Sequence, residues 1–346
     1  MPGKNRTVVK AKVILVLCVL LGAGSETLLA QDIHFSQFYA FNQNLNPAKI
    51  GDHHGDMRLE GIYRNQWRQI GNQPLTTTGI GFDKAFRYYN HEIDGGLMIV
   101  RDMFSGFNTI CNKLMLSAAY EMRYFGSDWR FGFQTGIVTN STDLTIQTFP
   151  NQWNYPAGEF DITLPNGEDN IRGSQMYLDI NLGMAWKKQI GKLKAEAGAA
   201  VNHINRPKDT YFSQVAERRK MRGVFHGQVD IPLNQQFNLI PRTFWTWTTR
   251  ANDFLLGSNL RYKTGMSNIS YLQAGCYYRH GVNRNMDAVY PVVGITYKAF
   301  ELGFSYDVNI SELKTGIKRP STFEVSLSYI VPSSRVKYQI IPCDRY

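Results

Sequence analysis

The stretch Trp129-Arg130-Phe131-Gly132-Phe133-Gln134-Thr135-Gly136-Ile137-Val138-Thr139 sets the architecture. In an extended chain Trp129, Phe131, Phe133, Thr135 and Ile137 share one face, and Arg130, Gly132, Gln134 and Gly136 share the other; a helix would mix the two sets. The same beat recurs nearby. Met176, Leu178, Ile180, Leu182, Met184 and Trp186 oppose Tyr177, Asp179, Asn181, Gly183 and Ala185, and Leu114, Leu116, Ala118, Tyr120 and Met122 oppose Lys113, Met115, Ser117, Ala119, Glu121 and Arg123. One face of each segment carries charge and the other carries none. A strand of a transmembrane β-barrel needs such a division, with one row toward lipid and one toward a hydrated lumen.

Extending the period-2 rule across the chain gives about fourteen strands, with a range of about 12–16. They fall near 56–66, 76–86, 94–102, 112–124, 129–139, 174–187, 192–204, 221–231, 237–249, 254–263, 269–279, 290–297, 300–307 and 322–331, the ninth interrupted by Pro241. The connections alternate in length. Those at 87–93, 125–128, 188–191, 232–236, 264–268 and 298–299 are tight, while 140–173, 205–220, 280–289 and 308–321 are long. Short periplasmic turns and longer external loops on an even number of strands produce this parity. The fold expected is therefore all-β, a transmembrane antiparallel barrel over 56–331.

The first 30 residues read as an export signal. Lys4, Arg6, Lys10 and Lys12 form a basic start, Val13 to Ala23 an apolar stretch, and Leu28-Leu29-Ala30 a cleavage site. No later stretch approaches the length of a membrane helix. Removing the signal takes away four basic residues and Glu26, so the net charge falls from +10 to +7. Export and the dispersed placement of the basic residues argue against a nucleic-acid partner. Cys111, Cys276 and Cys343 are too few and too scattered for a disulfide framework or a metal cluster. Residues 31–55 are polar and aromatic without clear period, and are expected to pack in or under the lumen or against a partner. Residues 332–346 follow the last strand and are expected to hang in the periplasm as a short tail or to fold back.

Several motifs stand in a fixed order: Asp32-Ile33-His34-Phe35-Ser36-Gln37-Phe38-Tyr39, Leu45-Asn46-Pro47-Ala48 with Gly51, and Tyr63-Arg64-Asn65-Gln66-Trp67. Toward the other end come Tyr278-Arg279, Asp287-Ala288, the run Ser305 to Leu313, and Glu324-Val325-Ser326-Leu327-Ser328-Tyr329. This series resembles the PorP/SprF family of type IX secretion system outer-membrane proteins. The resemblance implies an outer-membrane barrel that works with periplasmic ring proteins and a peptidoglycan-binding partner; an enzyme is not expected, since the sequence offers no nucleophile–base pair. The resemblance also implies help in exporting or holding secreted proteins through their C-terminal domain, adhesins of gliding motility among them. A porin or small-solute transporter of the same fold is the alternative.

No catalytic, cofactor or metal site emerges. The seven histidines sit in no nucleophile motif. His53-His54, beside Asp52 and Asp56, reads as a polar turn before the first strand, and His203 and His226 as wall residues. Gly79-Ile80-Gly81 lacks the following helix of a phosphate loop and reads as small residues easing barrel curvature. Charges of both signs on the inward rows, namely Arg58, Arg64, Asp83, Glu121, Arg123, Arg130, Asp179, Lys194 and Glu196, suit a hydrated lumen or a set of ion pairs that closes it, while a dedicated anion or cation pore would show an excess of one sign. Aromatics near strand ends, Trp67, Trp245 and Trp247 among them, suit interfacial girdles in contact with outer-membrane lipid. The candidate docking or motif positions are Phe35, Ser36, Gln37, Asn46, Pro47, Ala48, Asp287, Ala288, Asp307, Ser311 and Leu313. The last five are expected at or near external loops, facing a client, or pinning those loops to the rim by turn hydrogen bonds.

Overall fold

The structure is a computed structural model. It describes residues 32–66, 74–88, 91–105, 108–143, 148–165, 167, 173–208, 218–249, 252–282, 288–310 and 321–333. Side chains within these ranges are described except at 87, 88, 91, 92, 282 and 321. The chain divides into Met1–His34, of which only Asp32, Ile33 and His34 are described, as irregular chain, and a compact unit, Phe35–Tyr346. The proposed signal and the tail beyond Ser333 lie outside the described residues.

Fourteen antiparallel strands close into one barrel. They are β1 (Gly55–Gln66), β2 (Leu75–Tyr88), β3 (His91–Phe104), β4 (Thr109–Tyr124), β5 (Ser127–Thr142), β8 (Ser174–Ile190), β9 (Leu193–Asn202), β10 (Arg222–Pro232), β11 (Phe237–Trp247), β12 (Asn252–Lys263), β13 (Ile269–Val282), β14 (Ala288–Tyr297), β15 (Phe300–Asn309) and β16 (Ser321–Pro332). Between β5 and β8 the long connection carries a separate hairpin, β6 (Trp153–Asn154) with β7 (Glu159–Phe160). Each barrel strand pairs with its successor, and β1 pairs with β16, Arg64 standing opposite Glu324. All fourteen expected strands are present, most a residue or more longer than the sequence pattern alone gave.

The two faces of each strand separate as the alternation requires. Leu116, Phe133 and Leu178 are exposed, at 61%, 45% and 52%, and form part of an apolar outer surface suited to lipid, whereas Arg130, Asp179 and Asp83 are at most 2% exposed within the barrel. Among the described residues no helix is long and apolar enough to cross a membrane. Of the charges expected inside, Arg123 departs most clearly: it stands at the rim in an exposed pair with Asp128. Lys194, near the start of β9, is exposed as well.

Pro241 does not end β11. It pairs with Ser258 of β12, while the ladder to β10 lapses between Gln228↔Arg242 and Ile231↔Leu239 and resumes in the same register. Proline lacks only the N–H, so one side of the ladder opens and the strand continues. Pro291 repeats this in β14, paired with Cys276 of β13 while the β15 ladder lapses beside it.

Candidate functional site

Residues 35–54 occupy the lumen. Three short helical turns, Phe38–Ala40, Asn42–Leu45 and Pro47–Lys49, compact this segment. Asn46 caps the third turn by accepting the Ala48 N–H at 2.9 Å, and Pro47 at its first position needs no donor there. Such short turns bury little on their own and depend on the wall around them.

Ser36 and Gln37 form the first anchor. Their backbone N–H groups donate to the two carboxylate oxygens of Glu324, at 2.6 and 2.8 Å. Arg64 Nη1 meets the same carboxylate at 2.9 Å. Ser36 Oγ donates to Asp307 at 2.8 Å and accepts from Arg279 at 3.1 Å, while Arg279 Nη2 reaches Asp307 at 2.8 Å. Tyr290 donates to the Ser36 carbonyl at 3.0 Å. The Gln37 amide donates to Ser305 Oγ and the Glu324 carbonyl and accepts from Ser326 Oγ. Polar groups this deeply buried require such partners.

The middle of the plug is held by rings and amides. Phe38 stacks on Phe244 at 5.2 Å between centroids, Tyr39 stacks on Tyr277 at 5.8 Å, and the Arg242 guanidinium lies 3.9 Å from the Tyr39 centroid. Asn259 donates to the Tyr39 hydroxyl at 3.3 Å. Asn42 donates from both its backbone and its side chain to Glu60. Phe35 is buried and packs edge-on against Phe41. Asn46 Nδ2 donates to the carbonyls of Met184 and Ala199, at 3.0 and 3.2 Å, and lies 3.0 Å from His226 Nε2. A cavity of about 30 Å³ between Phe38, Asn42, Lys49, Glu196 and His226 has room for little more than water.

The second anchor spans Pro47 to His53. Arg130 donates to the carbonyls of Ala48 and Ile50 and pairs with Asp94 and Glu121. Lys49 pairs with Asp52 and Glu196, and Asp52 with Lys187. The Gly51 N–H donates to Asp83 Oδ2 at 2.5 Å, and Arg58 binds Asp83 and the Lys49 carbonyl. Gly51 has φ +72°, and a β-carbon there would fall on Asp94, so only glycine fits. Burial raises the Asp52 carboxyl, but Lys49 and Lys187 outweigh burial and hold it well below the usual carboxylate range. Burial, helped by Arg58, keeps His53 below the usual imidazole value; its Nε2 lies 3.7 Å from Asp83.

Going around the ring, direct contacts reach β1 through Glu60, β2 through Asp83, β5 through Arg130, β8 and β9 through the Met184 and Ala199 carbonyls, and β10 through His226. They continue through Phe244 of β11, Asn259 of β12, Tyr277 of β13, Tyr290 of β14, Asp307 of β15 and Glu324 of β16. β3 approaches Gln43 and Ile50 at Gly96, and β4 passes beside Pro47–Lys49. Inward glycines make room. A β-carbon on Gly132 would overlap the Pro47–Ala48 backbone, and those on Gly79 and Gly81 would crowd Phe41, at 2.9 and 3.2 Å. Gly79 and Gly81 therefore seat the plug, where curvature alone was expected.

Six of the candidate positions, Phe35, Ser36, Gln37, Asn46, Pro47 and Ala48, thus lie together in the plug. Asp307 does not face an external docking surface. β15 alternates, so Phe304, Tyr306 and Val308 point outward and Asp307 inward, where Arg279 and Ser36 take it up. Ala288 is buried at the start of β14, and Asp287, Ser311 and Leu313 lie outside the described residues. His203 follows β9 with φ +59°, its Nδ1 2.7 Å from Asp179 and its Nε2 3.3 Å from Arg219 Nε. Arg64, Asp83 and Arg130 were legible as inward charges, but Glu324, Asp94 and Lys49 were not singled out. For Glu324 and Asp94 the row position was the available signal; Lys49, in the turn Pro47–Lys49, has no row.

A closed antiparallel barrel with an apolar exterior and a lumen occupied by its own N-terminal segment defines a plugged barrel of the outer-membrane kind. Residues 27–329 match the family model described as type IX secretion system membrane protein PorP/SprF, and the chain belongs to that family. No curated protein matches the chain. Among solved structures, a Pseudomonas aeruginosa FadL homologue is 11% identical with a TM-score of 0.51, over 85% of this chain and 94% of that one. The CymD monoaromatic hydrocarbon channel is 12% identical with a TM-score of 0.49, over 85% and 93%. At these identities the first likeness speaks to fold alone, and the second carries no argument.

Proposed function

We propose that this chain is a sealed, non-enzymatic outer-membrane component of the type IX secretion system, resident in a Gram-negative bacterium after cleavage of the segment 1–30. In this reading it supports export or surface attachment of proteins through their secreted C-terminal domain, adhesins of gliding motility among them. Its partners are periplasmic ring proteins, a peptidoglycan-binding component, the client and outer-membrane lipid. The observation that carries the reading is the family match across 27–329. The lumen adds support against the porin alternative: wall charges of both signs are spent on one another and on the plug, while a selective pore presents rings of one sign to passing ions. The hydrocarbon channel is a description of that neighbour only.

Affinity purification of the tagged protein from native membranes, followed by identification of what co-purifies, tests this role. Recovery of a large secreted protein through its C-terminal domain, together with ring components, is the expected result. Recovery of the barrel free of all of these from membranes that hold an active secretion system would overturn it.

A further inference from the structure

The long connection between β9 and β10 is strongly basic. From Arg206 to Arg222 the sequence carries six basic residues against Asp209 and Glu217. The two described sides of this connection come together. Lys208 bridges to Arg218, the Arg219 N–H donates to the Pro207 carbonyl at 2.9 Å, and Arg218 Nη1 donates to the Arg206 carbonyl at 3.2 Å. Arg206, Lys208 and Arg218 are thereby gathered into one exposed cluster, with the half-buried Lys220 two residues on. Arg219 is taken up by His203 Nε2 and the Tyr177 hydroxyl. Among the described residues no carboxylate pairs with Arg206, Lys208, Arg218 or Lys220, and Asp179 on the neighbouring strand is buried against His203. Like charges gathered in this way repel one another unless an anion lies among them.

The cluster stands at the edge of the apolar exterior. The Ile204 N–H donates to the Ile180 carbonyl at 3.0 Å, Asn205 Nδ2 donates to the Leu178 carbonyl at 2.6 Å, and Gln175 Nε2 donates to the Lys208 carbonyl at 2.6 Å. Residues 204–208 therefore run alongside the start of β8, where Met176 and Leu178 are exposed on the outer row. On the other flank, at the start of β10, Gly223 pairs with Trp247 and Phe225 with Trp245. The two indoles lie 4.7 Å apart between centroids, and Trp247 covers Gly223, where an added β-carbon would fall on the ring. Exposed aromatic rings at strand ends settle at the headgroup level of a bilayer, so cations beside them meet the headgroups themselves.

We infer that Arg206, Lys208 and Arg218 form a docking site for the phosphate groups of the outer-leaflet glycolipid, lipopolysaccharide, whose acyl chains lie against Met176 and Leu178. The inference rests on the outer-membrane reading above, in which long connections face outward. Each arginine offers a planar fork that meets two phosphate oxygens together, and the lysine adds a compact charge. Continuity with the apolar row selects a lipid over a soluble polyanion. A lipid covers Met176 and Leu178 with its chains while its phosphates neutralise the cluster, and a soluble polyanion uses the cluster alone.

Titration of the full-length protein in detergent with diphosphorylated lipid A, the acyl anchor of that glycolipid, tests this, with binding read by native mass spectrometry. The variant Arg206→Gln, Lys208→Gln, Arg218→Gln is compared with Lys188→Gln, Lys192→Gln, Lys194→Gln, which removes three cations at the turn end. Folding of each is checked by heat-modifiable migration. The loop-end variant should bind lipid A more weakly by about tenfold or more, since each cation near an anionic lipid contributes a few-fold. The turn-end variant should bind as wild type does, and dephosphorylated lipid A should bind wild type as weakly as lipid A binds the loop-end variant. A loop-end variant that fails to fold is replaced by Lys208→Glu, at which the carbonyl and not the side chain makes the hydrogen bond, and the same loss is expected. Equal binding by wild type and the folded loop-end variant, or equal binding of the two forms of lipid A, would overturn the site. Displacement of lipid A by an equal concentration of inorganic phosphate would show a free-anion site and overturn the lipid docking. An epitope tag between Ala157 and Gly158, in the long connection after β5, reports the orientation separately. If it is hidden on intact cells and read only after permeabilisation, the outer-membrane orientation has failed and the docking site fails with it; if it is read on intact cells, loss of the lipid A difference counts against the docking site alone.

Discussion

The carboxylate of Glu324 accepts the backbone N–H of Gln37 at 2.8 Å across 287 positions of sequence. With the Ser36 N–H and Arg64 on the same group, Glu324 joins the plug to the β1–β16 seam. Glu324→Gln removes the charge that faces Arg64 and exchanges one accepting oxygen for a donor. Losing one member of a buried pair costs about 3–5 kcal/mol, so this variant should unfold at markedly lower urea concentration in vesicles. The double variant Glu324→Gln with Arg64→Met removes both charges, keeps an accepting oxygen for the plug N–H groups and should recover part of that loss. Equal stability of wild type and Glu324→Gln would mean that the seam is not held through this carboxylate.

Gly132 probes the fit of the Pro47–Ala48 backbone. A methyl group there overlaps main chain, which cannot swing aside, so Gly132→Ala should cost about 1–3 kcal/mol by overpacking. Gly61 is the matched control on β1, where the nearest atom to an added β-carbon is the Leu327 carbonyl oxygen at 4.0 Å. Gly61→Ala should be neutral or slightly stabilising in the same urea titration. An equal response of the two variants would remove the steric account of the inward glycines.

Asp52 gives the second anchor a defined response to acid. Its carboxyl is held down by Lys49 and Lys187 against the effect of burial, so the ionised form belongs to the folded state. Its stabilisation is whole above the unfolded carboxylate value of about 3.9 and is lost as pH falls through the lower folded value. Asp52→Asn should therefore be less stable than wild type by a constant amount from neutral to mildly acidic pH, with the gap closing only in strong acid. A gap that closes between neutral pH and mildly acidic pH would show that Lys49 and Lys187 do not hold this group ionised.

What the sequence made legible followed the period of two. Leu116, Phe133 and Leu178 announced an outward apolar row, and Arg58, Arg64, Asp83 and Arg130 an inward charged one, because alternation needs no knowledge of distant residues. Asp307 was legible by the same rule, since Phe304, Tyr306 and Val308 mark the opposite row, yet its nearness to a long connection drew it outward. Pro241 signalled a break because a missing donor was weighed against the whole strand, while only one of its two ladders opens. Packing of the segment before β1 in or under the lumen was anticipated, but the way the plug is held there was hidden for another reason. Its order comes from Glu324, Asp307, Arg279 and Arg130, which approach Ser36, Gln37 and Ala48 only once the barrel has closed, and no local pattern encodes that.

Conductance of the purified full-length protein in a planar bilayer is the measurement on which a sealed lumen stands or falls. With residues 35–54 in contact around the ring of strands, wild type should show no large, steady current, and Glu324→Gln combined with Gly132→Ala should introduce intermittent openings as the plug loosens. Large, steady, ion-selective currents from wild type would contradict the sealed barrel and favour the porin.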